Sequence, residues 1–118
     1  MGTPLSVTLG QHSRAGRKGA NQDFHGAMLP LEPQRSSKGI VVALADGIGS
    51  SAVSQEASAA SVRGFLDDYY ATSEAWSVRR SAQRVLDATN AWLHAQTMRS
   101  HARFDKDRGY VCTFSALI

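Results

Sequence analysis

The stretch that most constrains the fold is Gly39-Ile40-Val41-Val42-Ala43-Leu44-Ala45-Asp46-Gly47-Ile48-Gly49-Ser50-Ser51. The apolar run from Ile40 to Ala45 is too short for a buried helix and rich in β-branched residues, so it predicts a strand covered on both faces. An acid ends it. Gly47 and Gly49 let the backbone bend, and Ser50 or Ser51 is placed to cap a helix starting near Ala52. A strand that runs into a carboxylate, a flexible turn and a helix start holds an oxygen ligand on a rigid support. The plain alternative is an Asp-Gly turn with no ligand. Neither Gly-x-x-x-x-Gly-Lys-Ser/Thr nor Gly-x-Gly-x-x-Gly occurs, and an acid at Asp46 repels a bare phosphate, which argues against a nucleotide loop.

The spacing upstream adds a second carboxylate. Gln22 to Leu29 reads as a strand and Pro30 to Lys38 as the connection back to the central strand. An antiparallel pairing of residues 22–29 with 39–46, centred on Gln34 and Arg35, sets Leu29 against Ile40, Ala27 against Val42, His25 against Leu44 and Asp23 against Asp46. Two acids on one face, with Cβ atoms about 5 Å apart, repel each other unless a proton or a cation is shared. A divalent metal suits that position. A slip of one residue would separate them onto opposite faces.

Elsewhere, Leu5 to Leu9 alternates as a half-buried strand, and Ser13 to Asn21 reads as a loop. Val53, Ala57, Ala60, Gly64, Phe65 and Tyr69 recur at helical spacing, giving a helix that ends near Tyr70. Thr72 to Trp76 breaks the pattern. Ser73 or Ser77 then caps a second helix to about Met98, with Val78, Ala82, Val85, Leu86, Thr89 and Leu93 on one face. Arg99 to Arg108 is a charged connection, and Tyr110 to Ile118 is a further strand. An apolar strand at that point needs more partners, so we expect the N-terminal part of a larger domain with an open sheet edge able to pair with a second copy.

With 118 residues, 42% of them hydrophobic and 19% charged, the chain has the profile of one ordinary soluble domain at most. Its net charge of +3 comes from dispersed arginines and lysines, and the aromatic residues do not interleave with them as nucleic-acid binding requires. The single cysteine, Cys112, excludes an internal disulfide and reads as a small buried hydrophobe. That cysteine and the lack of any long apolar span lead us to expect a reducing, cytoplasmic setting. His12, His25, His94 and His101 lack zinc-ligand spacing, and Trp76 and Trp92 are expected to seal the helix–sheet interface.

Three segments in order, Arg17-Lys18-Gly19-Ala20-Asn21-Gln22-Asp23, then Ala43-Leu44-Ala45-Asp46-Gly47-Ile48-Gly49, then Gly109-Tyr110-Val111-Cys112-Thr113-Phe114-Ser115-Ala116-Leu117, resemble the first three motifs of the type 2C, metal-dependent protein serine/threonine phosphatases. In bacteria such domains can be fused to a kinase. The resemblance implies an α+β fold, a β-sandwich of mainly antiparallel sheets flanked by helices in α-β-β-α layers, with residues 1–118 forming the N-terminal part. It implies two Mg²⁺ or Mn²⁺ ions, with Asp46 bridging both, the Gly47 carbonyl as a further ligand, and Asp23 acting directly or through water. A basic residue five positions before Asp23, Lys18, matches the holder of the substrate phosphate, with Arg17 the competing candidate.

The implied substrate is a phosphoprotein and the implied partner a fused or cognate serine/threonine kinase. Lys18 replaces the family's usual arginine, Gln22 its frequent glutamate, and Cys112-Thr113 its paired threonines. The family's C-terminal Asp-Gly and Asp-Asn motifs would lie beyond Ile118, so we expect little turnover from this segment alone. A catalytically silent phosphatase-like module that binds a partner or phosphoprotein is the alternative.

Overall fold

The structure, a computed structural model, describes residues 6–49, 53–100 and 109–118. It is α+β. The order of elements is β1 (Asp23–Met28), α1 (Gln34–Lys38), β2 (Val41–Gly47), α2 (Val53–Ala71), α3 (Val78–Arg99) and β3 (Cys112–Leu117). The three strands form one antiparallel sheet in the order β1-β2-β3, so the segment opened by the central apolar run is also the central strand.

Burial along β2 alternates strictly, with Val41, Ala43 and Ala45 buried and Val42, Leu44 and Asp46 exposed. The buried side faces α2. Val62, Phe65, Leu66 and Tyr69 of that helix join Val41, Ala43, Ala45 and Val85 in the core, and Phe24, Met28, Cys112 and Phe114 pack against its margin. Small residues bring helix and sheet close. Ser54, Ala57, Ser58 and Ser61 are all buried, and a Cβ at Gly26 would sit 3.0 Å from Leu66 Cδ1 and 3.2 Å from Val62 Cγ1. Full burial of a side chain such as Phe65 contributes about 2 kcal/mol.

The expectation that β2 is covered on both faces is corrected: Leu44 remains 54% exposed, because both long helices of the described residues lie on the same side of the sheet. The sheet packs here against helices, and the second sheet of a sandwich is not among the described residues. The expected strand at Leu5 to Leu9 does not form over residues 6–9, although the outer edge of β1 is unpaired among the described residues; Leu5 lies outside them. The connection from β1 to β2 is not a simple loop, since Gln34–Lys38 winds into α1. The proposed caps Ser50 and Ser51, His101 and most of the charged connection (101–108) also fall outside the described residues.

Both long helices match their expected spans to within about two residues. Ser77 caps α3, its side chain accepting a hydrogen bond from the Arg80 N–H at 3.1 Å. The face of α3 matches the expected one in part: Val85 is buried and Ala82 packs against the core, but Val78 and Leu86 are exposed and Ser81 is buried. Ser81 is drawn inward by Lys38. The Lys38 side chain is 1% exposed, and its ammonium donates to Ser81 Oγ at 2.7 Å, the Ser73 carbonyl at 2.8 Å and the Trp76 carbonyl at 3.3 Å. Its backbone is fixed as well, with Tyr69 Oη donating to the Lys38 carbonyl at 2.6 Å and Tyr70 Oη to the Gly39 carbonyl at 2.8 Å. This knot ties the start of β2 to the turn between α2 and α3.

Neither tryptophan seals the helix–sheet interface. Trp92 is 48% exposed on α3 and meets Tyr110 edge-on, with ring centroids 6.5 Å apart. Trp76 sits in the α2–α3 turn beneath two arginines. No helix among the described residues is long and apolar enough to cross a membrane.

Candidate metal centre

The β1–β2 register runs Asp23↔Asp46, His25↔Leu44 and Ala27↔Val42, the pairing that the residue count predicts. Partners directly opposite in an antiparallel pair share a face, so Asp23 and Asp46 emerge together at one end of the uncovered side of the sheet. β3 extends the row, with Thr113 opposite Asp46. The result is Asp23, Asp46 and Thr113 side by side on three adjacent strands.

Backbone ties hold this end of the sheet in place. The Asp46 N–H donates to Thr113 Oγ1 at 3.2 Å, the Gly47 N–H to the Gln22 carbonyl at 3.0 Å, and the Ile48 N–H to the Val111 carbonyl at 2.9 Å. Gln22 Nε2 closes the turn by donating to the Gly49 carbonyl at 2.9 Å. On the other strand, the Asp23 N–H donates to Asn21 Oδ1 at 3.0 Å, and Asn21 Nδ2 donates to Ser13 Oγ at 2.7 Å. The loop before β1 is thereby joined to the acid that opens it.

Gly47 is required by close packing. A Cβ there would lie 2.6 Å from the Ser54 carbonyl oxygen and 2.9 Å from Ser54 Cβ, so any side chain would push α2 off the end of β2. Ser54 Oγ in turn donates to the Ile48 carbonyl. Gly49 adopts φ +99°, where a side chain would be strained. The Asp-Gly-x-Gly sequence is therefore explained by the contact of the turn with α2 as well as by its acid.

The two carboxyl groups interact directly. The Asp23 pKa is raised first by a side-chain hydrogen bond with Asp46, then by desolvation, then by the Asp46 charge, while Lys18 acts in the opposite direction. A proton held between two carboxyls is the response of like charges in contact, and a divalent cation satisfies the same pair without it. Lys18 is exposed, and its backbone N–H donates to the Ala15 carbonyl at 3.2 Å in a turn that brings its charge within reach of Asp23. Arg17 is exposed in the same turn.

Carboxylate and carbonyl oxygens are the donors that Mg²⁺ and Mn²⁺ prefer, and the paired acids with Gly47 beside them fit such an ion in donor type. Among the described residues, no group of three or more His, Cys, Asp or Glu side chains gathers into a fuller ligand set. Sequence reasoning brought Asp23, Asp46, Gly47 and Lys18 to this end of the sheet but missed Thr113 as the neighbour of Asp46. The signal was partial, since a third strand can join a two-stranded ribbon on either edge, and only its place beside β2 sets Thr113 opposite Asp46. Cys112, half-buried, packs under α2 with Sγ 3.2 Å from Ser61 Oγ, away from the acids. No family model, no curated protein and no solved structure was found to match this chain.

Proposed function

We propose that this chain is the N-terminal part of a metal-dependent protein serine/threonine phosphatase of the type 2C kind, and that Asp46 and Asp23 gather its divalent ions. The observation that carries the reading is the juxtaposition of Asp23 and Asp46 on one face, with the Lys18 charge close by. The three ordered segments around Asp23, Asp46 and Thr113 support it, because all three converge on one row of the sheet.

When bound, Mg²⁺ or Mn²⁺ supplies charge neutralisation and a water acidic enough to attack phosphorus near neutral pH. The chain's own contribution is positional. Asp46 and Asp23 offer carboxylate oxygens from a rigid ribbon, the Gly47 carbonyl adds a neutral oxygen, and Lys18 draws in and neutralises the phosphate of a phosphoserine or phosphothreonine. Thr113 fixes the Asp46 backbone through its hydroxyl. A cytoplasmic setting and a fused or cognate kinase belong to the same proposal.

The test measures two quantities. Calorimetric titration of the chain with Mn²⁺ should give a binding isotherm that Asp46→Asn abolishes. The full-length protein should release phosphate from a phosphothreonine peptide only with Mn²⁺ or Mg²⁺ present, and lose that activity with Asp46→Asn. Metal binding without phosphate release by a folded full-length protein would favour the silent, phosphoprotein-binding module instead. Absence of both would remove the reading.

A further inference from the structure

We propose that the face formed by Trp76, Arg80 and Arg84 is a docking site for an acidic segment of a partner protein. The Arg80 guanidinium carbon lies 4.6 Å from the centroid of the Trp76 ring, and that of Arg84, one turn further along α3, lies 5.7 Å from it. Among the described residues, neither guanidinium has a carboxylate partner, and Arg79 adds a third exposed cation beside them. Stacking on an aromatic face leaves the N–H fork of an arginine at its rim, where it binds a carboxylate bidentately.

The platform is built before any partner arrives. Trp76 is held from below by the buried Lys38 ammonium on its carbonyl, and its N–H donates to the Ser73 carbonyl at 3.1 Å. The Ala75 N–H donates to Ser73 Oγ at 3.2 Å, and Ser77 anchors the first turn of α3. Two long cationic side chains are thus already ordered, which removes part of the entropy cost of binding.

Charge complementarity selects the occupant. Glu74 and Asp87, both exposed, flank the three arginines along the chain, so the positive surface is short. A run of a few Asp or Glu residues fits it, whereas a nucleic-acid backbone extending past it meets like charge. The Trp76 ring already carries both guanidinium groups.

The experiment uses the whole chain in the Trp92→Phe background, which leaves Trp76 as its single tryptophan, excited at a wavelength that the tyrosines do not absorb, with chelator present so that bound metal plays no part. A short labelled oligoglutamate peptide is titrated by anisotropy while Trp76 emission is recorded, beside an oligolysine peptide and a single-stranded oligonucleotide of equal length. The expected result is saturable oligoglutamate binding with a change in Trp76 emission, weakened at least about tenfold by Arg80→Ala/Arg84→Ala with an unchanged circular dichroism spectrum, and no binding of oligolysine. Binding that the double substitution leaves intact, no change in Trp76 emission, no oligoglutamate binding, or oligonucleotide binding as tight as that of the peptide would each overturn the proposal.

Discussion

At the scale of single residues, the cost of placing Asp23 against Asp46 governs what the sheet end does. The raised pKa of Asp23 means that the folded chain holds this proton more tightly than the unfolded one. The associated penalty is therefore absent at low pH, where Asp23 is protonated in both states, and is present at neutral pH without metal. Asp46→Asn is expected to raise the melting temperature in metal-free buffer at neutral pH, with the gain disappearing in acid, as thermal unfolding followed by circular dichroism would reveal. Gly47→Ala acts differently. Its Cβ collides with the Ser54 backbone, so it should destabilise by about 1–3 kcal/mol in denaturant titration, whatever the metal concentration. The pairing of the two acids was legible in the sequence because the count of residues between them fixes an even register; the contact that demands Gly47 was not, because it depends on how closely α2 docks.

At the scale of elements, the knot around Lys38 joins β2 to the α2–α3 turn. Lys38→Met leaves the Ser73 and Trp76 carbonyls and Ser81 Oγ without their donor and should cost about 2–4 kcal/mol in chemical denaturation. Tyr70, whose hydroxyl holds the Gly39 carbonyl, has its pKa pushed up to about 12, chiefly by burial. Its ordinary value is 10, so its contribution is complete below pH 10 and is lost as pH rises toward 12, when the unfolded chain ionises first. Alkaline unfolding should set in within that window, and Tyr70→Phe should flatten the fall. The helices were legible from their periodicity and from Ser77. The buried stripe of α3 was legible only in part: Val85 and Ala82 face the core as their spacing suggests, but Val78 and Leu86 do not, and the Lys38 ammonium recruits Ser81.

At the scale of the whole molecule, the described residues form a sheet with helices on one side and an open, partly apolar face on the other, where Val42, Leu44 and Leu117 are exposed on the face that carries the acids at its end. The antiparallel α+β character was legible because β2 announces itself and the turn residues delimit its neighbours. The Leu5 to Leu9 strand was misread over residues 6–9, because alternation shows that a strand can form, not that it docks on an edge, and the outer edge of β1 stays unpaired among the described residues. Trp92 was misread for a related reason. Its size predicted a seal, yet it stands at the rim with Tyr110.

Whether the paired acids hold a cation is measured most directly by the melting temperature of the chain with and without saturating Mn²⁺, for the native sequence and for Asp46→Asn. Mn²⁺ should stabilise the native chain markedly and Asp46→Asn little, so that the order of stability in metal-free buffer is reversed. An equal response of both proteins to Mn²⁺, or none from either, would contradict a cation site at the pair.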